Sequence, residues 1–176
     1  MNRMMIDIET LGIGIDAVVL TVGAVVFTDI KVTKKVYWEL DWLDQVTEGR
    51  KVDKSTWAWW RQQNKDAYNK ALYRLHESCP TLDALKGLHK LYTSSNCAEI
   101  WCQGGSFDIP IIESLISTYG LTPAWRYNQA RDSRTLRKIL NLREPAFKGT
   151  PHHALHDALY QANRVIDCLK HIAGGG

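Results

Sequence analysis

The chain has 176 residues, 45% hydrophobic and 23% charged, with a formal net charge of +3. That suits one domain with a sizeable core, and the charge is too small to prove a polyanionic partner by itself. No stretch approaches the roughly 20 apolar residues of a membrane span. Met1-Asn2-Arg3 leads straight into an apolar run rather than a signal peptide, so a cytoplasmic protein is expected.

Met4 to Thr10 reads as the first strand. Side chains alternate along a strand, so Asp7 and Glu9 share one face, about 7 Å apart, while Met4, Ile6 and Ile8 take the other. Two anions on one face of a buried strand demand a compensating cation or a shifted protonation. Carboxylate oxygens suit magnesium or manganese. An edge strand with solvated charges is the plainer alternative.

Leu11 to Asp16, with Gly12 and Gly14, is a turn. Ala17 to Phe27 has the unbroken apolar character of a central strand, and Val32 to Leu40 mixes lysines with aromatics as a more exposed strand does. Short connections favour an antiparallel meander of the three. Asp53 to Thr56 offers capping side chains for a short helix from Trp57 to Lys65, and a second helical stretch is expected from Asp66 to Leu75. Trp57, Trp59 and Trp60 are too close together to face inward on one helix.

Pro80-Thr81 opens a helix with Leu82, Leu85, Leu88, His89 and Tyr92 at helical spacing. Cys97 to Cys102 is a fourth strand, ended by Gly104-Gly105, and Ser106 starts a helix towards Tyr119. A short strand near Tyr127 precedes a helix from Asp132 through Leu140, and 141–151 is a loop rich in turn residues. The last helix carries Leu155, Leu159, Ala162, Ile166 and Leu169 on one stripe and runs out into a flexible glycine end, 174–176. The four cysteines, Cys79, Cys97, Cys102 and Cys168, lack metal-like spacing and read as reduced structural thiols. With no linker or repeat, residues 1–173 are expected to form one mixed α/β domain with helices on both faces of the sheet.

Acidic residues therefore stand where elements begin or end: Asp7 and Glu9, Asp108 after the Gly-Gly turn, and Asp157 on the last helix. Each has a plain alternative, Asp108 as a helix cap and Asp157 as a solvated helix residue. Together, Asp7-Ile8-Glu9-Thr10, Phe107-Asp108 and His152 followed five positions later by Asp157 resemble the three motifs of the DEDDh exonucleases, the DnaQ-like branch of the ribonuclease H-like fold. With Trp59-Trp60, Gln62-Gln63 and Arg131-Asp132-Ser133-Arg134-Thr135, the chain is similar to the phage and prophage exonucleases related to the Rv2179c-like exoribonucleases. One departure is Gln103-Gly104, where an asparagine often precedes Phe-Asp in those relatives.

The resemblance implies a ribonuclease H-like five-stranded sheet and 3′ to 5′ removal of nucleoside 5′-monophosphates from DNA or RNA with a free 3′ end. Four carboxylates can hold two divalent ions, Mg²⁺ or Mn²⁺, about 4 Å apart. Asp7 is the candidate bridging ligand, with Glu9, Asp108 and Asp157 completing the set. The resemblance further implies substrate contacts at Thr10, Leu11, Gly12, Ser106 and Phe107. Trp59 and Trp60 offer base stacking, with ordinary burial of one ring and exposure of the other as the alternative. Lys148, Arg131, Arg134 and Arg137 are candidate phosphate grips, or solvated helix residues. Homodimerisation is a second use for the exposed aromatic positions. A catalytically silent nucleic-acid-binding module would show a lost ligand, and none is missing.

Two arguments disagree on the general base. On a continuous helix His153, four before Asp157, shares its face, and His152 does not. The family spacing implies His152. Both hold if His152 precedes the helix, leaving His153 for packing or substrate contact.

Overall fold

The computed structural model describes residues 1–63, 65, 69 and 78–174. Strands β1 (Asn2–Thr10), β2 (Val19–Phe27) and β3 (Val32–Glu39) form the expected antiparallel meander. Helices α1 (Trp42–Thr47), α2 (Lys54–Trp60) and α3 (Thr81–Ser94) follow. The chain then adds β4 (Cys97–Cys102), α4 (Asp108–Thr118), β5 (Ala130–Asp132), α5 (Ser133–Leu140) and α6 (Ala154–Ala173). The sheet order is β3-β2-β1-β4-β5, with β4 parallel to β1 and β5 parallel to β4.

β1 is thus a central strand, which rules out the solvated-edge reading of Asp7 and Glu9. Its alternation divides the core. Met4, Ile6 and Ile8 pack with Val22, Ala24 and Val26 of β2 beneath α3 and α4. Met5, Val25, Phe27 and Trp101 pack beneath Ala158, Ala162, Val165 and Ile166 of α6. Helices therefore cover both faces, and Asp7 and Glu9 belong by alternation to the α6 face.

Several boundaries differ from those read in the sequence. Six-residue α1 was not anticipated, since it has little periodicity of its own. It is held by Gln45, fully buried, whose amide accepts from the Val19 N–H at 2.8 Å and donates to the Val19 carbonyl at 2.7 Å. α2 begins at Lys54, because Asp53 caps it by accepting from the Ser55 N–H at 2.8 Å, and ends at Trp60 rather than Lys65. Around Tyr127 the chain makes a 3₁₀ turn, and the short strand comes after it. The helix expected from Ser106 starts at Asp108. The helical stretch expected at 66–75 lies, except for residue 69, outside the described residues, as do the last two glycines.

Of the three clustered tryptophans, Trp60 is buried with Leu11, Val18 and Leu20, Trp57 packs edge-on against Trp42, and Trp59 is exposed. Cys97, Cys102 and Cys168 are buried free thiols, and Cys79 is half-buried. No helix among the described residues is long and apolar enough to cross a membrane.

Candidate active site

One row across the sheet organises the site. Tyr37 of β3 pairs with Gly23 of β2, which pairs with Asp7 of β1. The N-terminus of α6 sits directly on Gly23: a Cβ there would come within 2.3 Å of the Ala154 carbonyl carbon and oxygen. Only a residue without a side chain lets the helix settle this deeply. The consequence is that Asp157, on the first turns of α6, meets the carboxylates of β1.

Carboxylate oxygens of Asp7, Glu9 and Asp157 lie within 4.8 Å of one another. Asp108 lines the same groove at the first turn of α4. Its Oδ1 accepts from the Ile8 N–H at 3.2 Å, which ties it to β1 between the other two acids. Phe107, not Asp108, occupies the cap position of the helix.

Burial acts on all four, and carboxylate crowding adds to it at Asp7 and Glu9. Burial, then the charges of Asp108, Glu9 and Asp157, push the Asp7 carboxyl well above the ordinary range, against the opposing hydrogen bond from Gln161. Burial, followed by Asp157 and Asp108, pushes Glu9 up to about 8. Asp108 is raised by burial, with the Ile8 N–H and Arg134 pulling the other way. Asp157 is raised by burial, partly offset by the His153 N–H. A bound cation would offset these raised values, and the carboxylate oxygens are hard donors that suit a divalent metal.

His152 precedes α6, and at φ +57° it takes a left-handed conformation uncommon outside glycine. Its exposed ring meets Trp59 edge-on, with centroids 4.9 Å apart, and Trp60 at 6.2 Å. It lines the carboxylate groove together with Asp157. His153 caps α6. Its ring stacks between Tyr37, at 4.4 Å, and His156, at 4.1 Å, while its N–H donates to Asp157 Oδ2 at 3.2 Å. His156 Nδ1 accepts from the Thr150 N–H at 3.1 Å, which fastens the preceding loop to the helix.

A second groove of about 490 Å³ adjoins the first and shares Ile8, Glu9 and Phe107 with it. Thr10, Gly12, Trp59 and Trp60 line it. Trp60 donates its indole N–H to the Thr10 carbonyl at 2.9 Å, rooting α2 at the end of β1. Leu11 is buried under Trp60, and Ser106 is exposed on the turn before α4. Sequence reasoning passed over Gln161, which is 4% exposed and donates to Asp7 Oδ1 at 2.7 Å. Its position four after Asp157 was the available signal, since that spacing shares a helix face. Tyr37 gave no signal, because only the fold brings it to His153.

The sequence model of the 3′–5′ exoribonuclease Rv2179c-like domain matches residues 2–169. An exodeoxyribonuclease of Enterobacteria phage T4 is 28% identical over 200 residues, which span 98% of this chain and 86% of the phage protein. The solved structure of exonuclease X in complex with 5′ overhanging duplex DNA aligns with a TM-score of 0.55. That alignment covers 97% of this chain and 93% of the other at 16% identity, a likeness of fold. The mixed sheet with helices on both faces is accordingly ribonuclease H-like.

Proposed function

Because the chain belongs to the Rv2179c-like family of 3′–5′ exoribonuclease domains and is by that membership a 3′–5′ exonuclease, we propose how its groove works. Asp7, Glu9, Asp108 and Asp157 hold two divalent ions, Mg²⁺ or Mn²⁺, and His152 is the general base. Nucleoside 5′-monophosphates leave one at a time from a free 3′ hydroxyl. The observation that carries this reading is the meeting of three carboxylates from β1 and α6 within 4.8 Å, with Asp108 alongside.

When bound, the ions polarise the attacking water and stabilise charge on the leaving oxygen. The chain's own residues do the rest. Asp7, held by Gln161 through one oxygen, lines the groove. Water forms the new bond to phosphorus, the bond from phosphorus to the 3′ oxygen of the penultimate nucleotide breaks, and that oxygen takes a proton from solvent. The His152 imidazole, placed by its left-handed backbone and braced by the Trp59 edge, receives the water's proton. Trp59 stacks on the terminal base, and Thr10, Gly12 and Phe107 border the space it enters. His153 works by packing, between Tyr37 and His156. Residues 1–173 act as one cytoplasmic exonuclease domain, and a homodimer would use the exposed aromatics that face away from substrate.

The family's name carries RNA and the phage relative's name carries DNA, so the test uses matched 5′-labelled oligonucleotides of both kinds, single- and double-stranded. Stepwise shortening from the 3′ end with magnesium or manganese is expected, and excess chelator or Asp7→Ala should abolish it. Full activity in chelator or in Asp7→Ala removes the metal reading. Equal cutting of a circular strand removes the requirement for a 3′ end.

A further inference from the structure

The carboxylate groove contains one cation that the proposed chemistry has not yet used. Arg134 lines it together with Asp7, Glu9, Asp108 and Asp157. Its neighbours on the same segment are engaged elsewhere: Arg131 pairs with Glu99 at 3.1 Å and Arg137 with Glu144 at 2.9 Å. Arg134 makes no side-chain hydrogen bond or ion pair among the described residues.

Its placement is built rather than incidental. Asp132 Oδ1 accepts from the N–H of Gly104, at 2.9 Å, and from the N–H of Arg134, also at 2.9 Å, so one carboxylate clips the turn after β4 to the first turn of α5. Asp132 Oδ2 takes the Thr135 hydroxyl at 2.7 Å, which fixes its orientation. Gly104 has φ +104°, and the guanidinium lies against its bare face, 3.4 Å from where a Cβ would stand. The exposed head group acts on both Asp108 and Asp132 without bonding to either, while His152 sits beside Asp157.

We infer that Arg134 is a further catalytic residue: its guanidinium takes the non-bridging oxygens of the phosphate at the scissile linkage and keeps them in the released 5′-monophosphate. The inference rests on reading the groove as the exonuclease site. A planar fork of donors matches two oxygens of one phosphate, and an arginine without a protein partner keeps those donors free for substrate. A cation that served only to balance Asp108 would gain most by bonding to it.

The test compares adenosine 5′-monophosphate with adenosine, by calorimetry in the presence of magnesium, on the whole chain and on Arg134→Gln and Arg134→Lys. The unsubstituted protein should prefer the monophosphate. In Arg134→Gln that preference should fall about 10- to 100-fold, the loss expected for charge-assisted hydrogen bonds, with adenosine binding unchanged and 3′ digestion slowed. Arg134→Lys should recover only part, because a point charge lacks the fork. An unchanged preference in Arg134→Gln, or full recovery in Arg134→Lys, overturns the inference. Should Arg134→Gln fold poorly, Arg134→Lys decides alone: the preference must fall, and an unaltered one overturns the inference. Failure of the unsubstituted chain to shorten 3′ ends would instead strike the exonuclease reading itself.

Discussion

Removing divalent metal should make this fold sensitive to alkali. Glu9 moves from its usual 4.5 to about 8 on folding, and Asp7, Asp108 and Asp157 move in the same direction. The folded chain therefore holds more protons than the unfolded one between about pH 4.5 and pH 8. Stability is full below the unfolded value and is lost as pH rises through the folded one. For Glu9 alone the displacement corresponds to about 3 to 5 kcal/mol. The charges of Asp108 and Asp157 contribute to displacing both Asp7 and Glu9, so the contributions do not add. For a chain of this length that loss lowers Tm by about 10 °C. Thermal unfolding followed by circular dichroism in chelator, at pH 5 and pH 9, measures it. Added magnesium or manganese should flatten the dependence, because cations then replace the protons. Glu9→Gln should also reduce it without metal. A metal-free Tm that is constant or rises across this window would refute the reasoning.

Two further outcomes follow from the same geometry. His152→Ala should lower the maximal rate of 3′ digestion by about 100- to 10,000-fold and flatten the acidic limb of the pH-rate profile. His153→Ala should act mainly on stability through the lost stack on Tyr37 and His156, and an exchange of these phenotypes would assign the base to His153. Gly23→Ala forces a methyl group against the Ala154 backbone and should cost about 1 to 3 kcal/mol of stability. It should also cost 100-fold or more in activity as Asp157 shifts by about 1 Å; wild-type Tm and rate would contradict the seating of α6.

Much of this was legible in the residues because it depends on period. Alternation along β1 separates Asp7 and Glu9 from Met4, Ile6 and Ile8, and the stripe through Leu155, Ala162 and Ile166 marks the inner face of α6. Local chemistry could also be read: Asp53 caps a helix, although its first residue came three positions earlier than the tryptophans suggested. What could not be read depends on partners remote in sequence. α1 exists because Gln45 bonds Val19, 26 residues away, a tertiary gain that no local propensity reports. The sequence offers Arg131, Arg134, Arg137 and Lys148 alike as phosphate grips or solvated residues, and only the fold sets Arg134 apart by laying it over Gly104. Leu11 shows a different limit. A motif gives a position in the chain, but only the fold gives the direction of a side chain, and Leu11 points down beneath Trp60.

The gap at Gly23 also acts as a proofreader of strand register. In the native pairing the residue without a side chain faces Asp7 across the ladder, and α6 lands on it. A slip of one position along β2 would bring Val22 or Ala24 to that place and exchange the faces of every neighbouring residue. The helix would then have no seat, and Asp157 would stay away from Asp7 and Glu9. A chain that misaligns its sheet thus fails as an inert protein and not as a nuclease of altered specificity.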